Sequence, residues 1–81
     1  MTPNEAKALV IRSNVDRKVT QVIDLNDKYY IVEAPKRNVK MDFNDPYFAV
    51  NKSTEKILPF FPSAYPAFFE ALRDRSKVTV Y

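Results

Sequence analysis

The segment KVTQVIDLNDKYYIVE, residues 18–33, decides the fold. Both of its halves are rich in β-branched and aromatic residues, and polar residues or a proline bound each half. Asn26 and Asp27 lie between the halves, and both residue types tolerate the left-handed backbone of a tight hairpin turn. The segment therefore predicts an antiparallel hairpin with strands over 18–25 and 29–33.

Helical patterns flank the strand-forming part of the chain. Thr2 and Glu5 form a capping box around Pro3, and the apolar residues that follow predict a helix over residues 3–13. A second set of apolar residues recurs at helical spacing and predicts a C-terminal helix with one apolar stripe: Tyr65, Phe68, Phe69 and Leu72.

Two further strands are predicted over 46–52 and 56–60, with a turn at Ser53-Thr54-Glu55. Pro59 has no amide hydrogen for a ladder, so the strand that contains it should lie at a sheet edge. Residues 77–81 are expected to form either a short final strand or an ordered tail. The resulting order α-β-β-β-β-α predicts a single α+β domain over 1–81, an antiparallel sheet of about four strands covered on one face by helices.

Composition excludes more chemistry than any motif does. The 81 residues include no cysteine, no histidine and no glycine. Disulfides and thiolate chemistry are therefore excluded, zinc lacks good ligands, and the commonest general base is missing. Without glycine, neither a P-loop nor a dinucleotide-binding loop can form. The serines have no histidine to activate them, so we expect no enzymatic activity. The missing residue types also lead us to expect no cofactor and no metal.

The charge and hydropathy patterns indicate a soluble protein. The net charge is +3, which is weak as a nucleic-acid footprint. No apolar run approaches the roughly 18 residues that span a bilayer, and no signal-peptide hydrophobic region follows Met1. The sequence predicts a cytoplasmic location, or incorporation into an assembly made there, and no membrane partner.

Two weaker site hypotheses use residues of the connection over 34–46. Asp42 and Asp45 bracket Phe43 and Asn44, so they could approach one another or hold a hard cation, but a turn before Pro46 explains Asp45 better. Two basic groups are the candidates for a phosphate-binding face: Lys36, Arg37 and Lys40, and, near the other end, Arg73, Arg75 and Lys77. Acidic residues interleave with them and the glycines of an RNP motif are missing, so nucleic acid ranks behind a protein partner.

Aromatic residues favour protein binding. They make up 14 % of the chain, and Tyr is a common interface anchor. Strand alternation places one ring of each adjacent pair on either sheet face, and helices on one face would leave some rings exposed. The predicted contact residues are Tyr29, Tyr30, Tyr47, Phe48 and Tyr81. The Pro59 strand and residues 77–81 supply edges for a partner strand or for a homo-oligomer.

The string Asn44-Asp45-Pro46-Tyr47-Phe48-Ala49-Val50-Asn51-Lys52 resembles a motif of small phage and prophage proteins, in which a turn and an apolar strand ending Phe-x-Pro follow. Similar strings occur in bacterial immunity-protein domains. The likeness covers roughly residues 3–73 and differs at Glu55, where the family usually has Gly.

The resemblance implies a small phage-encoded module that binds protein, in the host cytoplasm or in the virion. The first hypothesis is a minor virion or assembly component that binds a phage structural protein through the exposed sheet face and an edge strand. The second is a stoichiometric inhibitor of a host enzyme, of the immunity or anti-defence type. The third is a small nucleic-acid-binding protein that uses the basic connection.

Overall fold

The structure, a computed structural model, describes residues 1–36 and 46–81. Two helices and five strands make up this part of the chain, and the residue range of each is α1 Pro3–Ser13, β1 Gln21–Asp24, β2 Tyr29–Glu33, β3 Tyr47–Asn51, β4 Ile57–Pro59, α2 Pro66–Leu72 and β5 Val78–Val80. Short 3-10 turns, Pro62–Ala64 and Arg75–Lys77, precede α2 and β5.

The five strands form one antiparallel sheet in the order β4-β3-β2-β1-β5. The β1–β2 hairpin lies within the segment that predicts it, and Val22 pairs with Val32 across it. The strand that contains Pro59 is an edge strand, as its missing amide hydrogen predicts. The tail forms β5, which extends the sheet on the other side of β1. The α+β prediction is confirmed, with a fifth strand.

Helix α1 begins and ends where local hydrogen bonds predict. The Thr2 hydroxyl accepts a bond from the Glu5 amide at 3.2 Å, and Pro3 occupies the first turn, where its missing amide hydrogen costs nothing. At the other end, the Asn14 amide donates to the Val10 carbonyl at 2.9 Å. The buried residues Ala6 and Val10 point to one sheet face, hereafter the α1 face.

Helix α2 packs against the opposite face, hereafter the α2 face. Its buried residues Phe68 and Ala71 contact Ile23, Ile31 and Ala49, whose neighbours along each strand point to the α1 face. The expectation that helices cover only one face is therefore wrong. The reason lies in β1 and β2, which carry apolar residues at consecutive positions, so both of their faces need cover from water.

Two turns require a left-handed residue, and neither uses glycine. Asn26 has φ 63° in the β1–β2 turn, as its residue type predicts. Glu55 has φ 62° between β3 and β4. The Asn51 side chain holds this second turn by accepting bonds from the amides of Ser53 and Thr54 at 2.8 and 3.0 Å. The strand register beside it is regular, with Val50 opposite Ile57.

Candidate interaction surface

The α2 face is only partly covered by its helix. Helix α2 has seven residues and packs toward β1, so a groove remains over β2, β3 and β4 beside the start of the helix. Its volume is about 590 Å³. We call it the aromatic groove, and its apolar wall includes Tyr29, Ile31, Ala49, Leu58, Phe61 and Tyr65.

Three large side chains of the aromatic groove stand half or more in solvent. The exposed fractions are 59 % for Phe61, 52 % for Tyr65 and 50 % for Leu58. Scattered exposed apolar residues are ordinary, whereas several that surround one concave surface indicate a binding site. The three side chains therefore mark this groove as the best candidate site in the described part of the chain.

The prolines explain why these aromatic residues face outward. Pro59, Pro62 and Pro66 interrupt both strand and helix hydrogen bonding, so the chain passes from β4 to α2 through an extended residue and a 3-10 turn. Phe60 points inward in this passage and Phe61 outward. The Phe60 ring lies 5.0 Å from that of Tyr65 and 5.4 Å from that of Phe68, measured between ring centres. The buried Phe60 ring thus forms part of the base of the groove and packs against the exposed Tyr65.

The polar rim of the groove comes from the β1–β2 turn. Asp27 and Lys28 both line the groove, and Lys28 Nζ lies 5.5 Å from the centre of the Tyr29 ring. One charge of each sign at the edge of an apolar floor suits an apolar or aromatic side chain that carries a polar neighbour. The groove therefore combines an apolar floor with one charge of each sign at its rim.

Strand alternation places the predicted tyrosines as expected, but not all at a surface. Tyr29 and Tyr47 lie on the α2 face, and Tyr30 and Phe48 lie on the α1 face. Tyr30 is only 7 % exposed, its hydroxyl donates to the Met1 carbonyl at 3.1 Å, and Lys52 Nζ lies 4.5 Å from its ring centre. The prediction of Tyr30 as an exposed contact residue is therefore wrong, because α1 covers this face.

The other three rings on the sheet differ in how far they are covered. Tyr29 is half-buried and lines the aromatic groove. Tyr47 is half-buried and packs edge-on against Phe68, with 5.2 Å between ring centres. Phe48 is half-buried in the α1-face cluster, beneath the Arg17 guanidinium at 5.0 Å. Of the predicted contact residues, Tyr29 lines the aromatic groove. It lies there with Leu58, Phe61 and Tyr65, which were not predicted as contact residues.

Tyr81 lies beside α1 rather than at the aromatic groove. Its hydroxyl donates to Asn4 Oδ1 at 2.6 Å, and Lys7 Nζ lies 4.2 Å from its ring centre. Burial, together with the neighbouring Tyr30, raises the pKa of the Tyr81 hydroxyl above its ordinary value of 10.0. The ring is 37 % exposed, so part of it remains available at the sheet edge.

The described basic residues do not form the predicted phosphate-binding face. The backbone of Lys36 forms an isolated antiparallel β-bridge with that of Arg17, before the start of β1. Lys77 precedes β5 and lies near Asp24, at the other end of β1. Arg73 and Arg75 belong to the same end as Lys77. The remaining residues of these hypotheses lie outside the described ranges: Arg37, Lys40, Asp42 and Asp45.

Two classes of site are not found in the described residues. Within 1–36 and 46–81, no three or more acidic, histidine or cysteine side chains come together in a way that would hold a metal ion. None of the helices in these ranges has the length and apolar character needed to cross a membrane.

The sequence reasoning missed Leu58, Phe61 and Tyr65 as site residues. It assigned Tyr65 and Phe69 to one stripe with Phe68, but α2 begins at Pro66, so Tyr65 caps the helix from outside and both residues face solvent. The available signal was the spacing of the prolines, which prevents one regular element from burying every aromatic residue between them.

Comparisons of the chain with protein-family models, with curated proteins and with solved structures give no match.

Proposed function

We propose that this protein is a non-enzymatic protein-interaction module that binds a partner protein through the aromatic groove. The observation that carries the proposal is the exposure of Leu58, Phe61 and Tyr65 around one groove of about 590 Å³. Aromatic side chains at the centre of a concave surface are the usual anchors of protein interfaces.

The energetics of these side chains favour a covered state. Burial of a large apolar side chain contributes roughly 1.5–3 kcal/mol when it is complete, and half of that remains available where half of the side chain is exposed. Phe61, Tyr65 and Leu58 together thus offer a partner a few kcal/mol at one point of the surface. The rim charges of Asp27 and Lys28 would orient that partner rather than bind it tightly.

The absence of histidine and cysteine from the sequence supports a role without catalysis. The resemblance of the Asn44–Lys52 string to phage and prophage proteins supports a phage-encoded module. A minor virion or assembly component, made in the host cytoplasm, is our first proposal for its role. The alternative is a stoichiometric inhibitor of a host enzyme, and the groove would serve either role.

The test compares two variants of the tagged chain produced in host cells with and without phage. The double variant Phe61→Ser and Tyr65→Ser removes the groove aromatics, and Val15→Ser removes an exposed apolar residue in the turn after α1 as a matched control. A stoichiometric protein retained by the wild type and by the Val15 variant, but lost by the double variant, would support the proposal.

The identity of the retained chain decides between the two roles, a phage structural protein for the first and a host enzyme for the alternative. Retention of the same chains by the double variant would contradict the groove as the contact surface. Recovery of nucleic acid without a stoichiometric protein would favour the third hypothesis instead. Circular dichroism of each variant keeps loss of fold apart from loss of binding.

A further inference from the structure

The two edges of the sheet differ in what they offer a further strand. Strand β4 bonds to β3 through the Asn51 amide and the Lys56 carbonyl, and through the Phe60 amide and the Tyr47 carbonyl. Backbone groups in an antiparallel strand point alternately toward and away from the neighbouring strand, so those of Ile57 and Pro59 point away from β3. Pro59 has no amide hydrogen, which weakens this edge as a template. Strand β4 is therefore a poor acceptor.

The β5 edge keeps its outward groups. The Tyr81 amide donates to the Thr20 carbonyl at 2.9 Å, and Thr79 lies opposite Val22, so Val78 and Val80 direct their backbone groups away from β1. The Val78 amide donates to the Arg75 carbonyl of the preceding turn. An added strand would find the Val78 carbonyl and both backbone groups of Val80.

Side chains beside β5 differ between the two faces. On the α2 face, Leu72, Arg75, Val78 and Val80 line a shallow cleft of about 380 Å³, and Val80 is 76 % exposed. This cleft would receive the apolar side chains of an added strand. Val80 has no other cover in the described part of the chain, since nothing packs outside β5.

On the α1 face, the edge is basic. A cleft of about 590 Å³ there is lined by Lys7, Ile11, Lys18, Val19 and Tyr81. Within the described ranges, neither lysine lies within ion-pair distance of a carboxylate. Two cations in one cleft, neither of them in an ion pair with a carboxylate of residues 1–36 or 46–81, complement negative charge.

We propose that β5 accepts an extended acidic peptide segment of a partner protein as a sixth strand, with apolar side chains on the α2 face and carboxylates on the α1 face toward Lys7 and Lys18. Strand alternation delivers those two chemistries to the two faces from one segment. The proposal rests on the proposed function only in that the partner is a protein, and it uses a different surface from the aromatic groove.

Charge argues against a second copy of this chain as the occupant. Antiparallel pairing of β5 with itself would bring Lys7 and Lys18 of each copy toward the same edge, where like charges repel. A nucleic acid would satisfy the lysines but would leave the backbone groups of Val80 and the apolar cleft without partners.

The experiment titrates the isotopically labelled chain with an extended peptide of alternating Glu and Val, and follows amide chemical shifts by NMR. We expect the Val80 amide to shift and its hydrogen exchange to slow. Two control peptides, one with Lys in place of Glu and one with methylated backbone nitrogens, should each bind at least about tenfold more weakly. A tenfold loss corresponds to about 1.4 kcal/mol. Equal binding by either control peptide would overturn the proposal.

Variants of the chain locate the site. Val80→Pro removes an outward amide hydrogen without breaking a bond to β1 and should weaken binding about tenfold. Lys7→Ala with Lys18→Ala should weaken it and reduce its salt dependence. The Phe61→Ser and Tyr65→Ser double variant should bind the peptide normally, which separates failure here from failure of the groove. Self-association lost in Val80→Pro, or binding of a short oligonucleotide in place of the peptide, would overturn the proposal.

Discussion

Lys52 Nζ donates a hydrogen bond to Asp24 Oδ1 at 2.7 Å, and the ion pair crosses β2 above the Tyr30 ring. It joins the end of β1 to the residue that follows β3, two strands that do not pair with each other. The same lysine lies 4.5 Å from the centre of the Tyr30 ring. The pair thus covers part of the Tyr30 ring on the α1 face, in addition to the cover from α1 and Met1, and Tyr30 belongs to the core.

Lowering the pH should weaken the contribution of this pair to stability. Burial raises the pKa of the Asp24 carboxyl, but hydrogen bonds from Lys52 and the Asn26 amide and the charges of Lys52 and Lys77 outweigh it, so the pKa lies below its ordinary value of 3.8. Because the pKa is lower in the folded state, the ionised carboxyl stabilises the fold at pH values above its ordinary pKa. This stabilisation is lost as the pH falls through the folded-state pKa.

Asp24→Asn should therefore lower the free energy of unfolding by up to about 1 kcal/mol near neutral pH, because the pair is partly exposed. The difference from the wild type should disappear in strong acid. Urea unfolding at a series of pH values measures both. Asp16→Asn, at an exposed turn carboxylate without an ion pair in the described residues, is the control. A difference that persists unchanged in strong acid would contradict the assignment.

Adjacent phenylalanines of α2 should differ sharply in their effect on stability. Phe68 is 1 % exposed and packs against Tyr47 and Phe60, whereas Phe69 is 48 % exposed. We expect Phe68→Ala to lower the free energy of unfolding by about 3–5 kcal/mol and Phe69→Ala by about 1 kcal/mol or less. Chemical denaturation of both variants measures the difference, and similar losses would show that α2 is not anchored through Phe68.

Much of the fold could be predicted because its signals are local. The capping box at Thr2 bounds α1, Asn26 provides the left-handed turn residue, and Pro59 indicates an edge strand. These features depend on backbone hydrogen bonding within a few residues, which residue type largely determines. The pairing of β5 with β1 depends on contacts between distant parts of the chain, so the sequence left strand and tail as alternatives.

The position of the candidate site was harder to predict, since it depends on the length of α2 and on the part of the sheet that α2 covers. Periodicity correctly put Phe68 on a buried stripe but also included Tyr65 and Phe69, which face solvent. Seven residues of helix cannot cover five strands, and the uncovered part of the α2 face is the aromatic groove. The length of α2 decided the site, and periodicity alone does not give that length when Pro66 sits within the pattern.

Replacement of Glu55 should raise stability. A residue other than Gly, Asn or Asp in the left-handed region carries a cost of about 1–2 kcal/mol. Glu55→Asn keeps the turn bond from the residue 55 amide to the Asn51 carbonyl, and we expect the free energy of unfolding to rise by about 0.5–1 kcal/mol. Ser53→Asn, in the same turn but outside the left-handed region, should change it by less than about 0.5 kcal/mol. An unchanged thermal midpoint in the Glu55 variant would contradict strain at this position.

The adjacent tyrosines of β2 should separate stability from partner binding. Tyr30 is buried, with its hydroxyl bonded to the Met1 carbonyl, so Tyr30→Ala should lower the free energy of unfolding by about 3 kcal/mol or more. Tyr29 is half-buried in the wall of the aromatic groove, so Tyr29→Ala should cost less stability and weaken partner binding in the folded protein. Denaturation and binding are measured on the same samples at a temperature where both variants are folded. Weaker binding by folded Tyr30→Ala than by folded Tyr29→Ala would place the contact surface on the α1 face instead of at the groove.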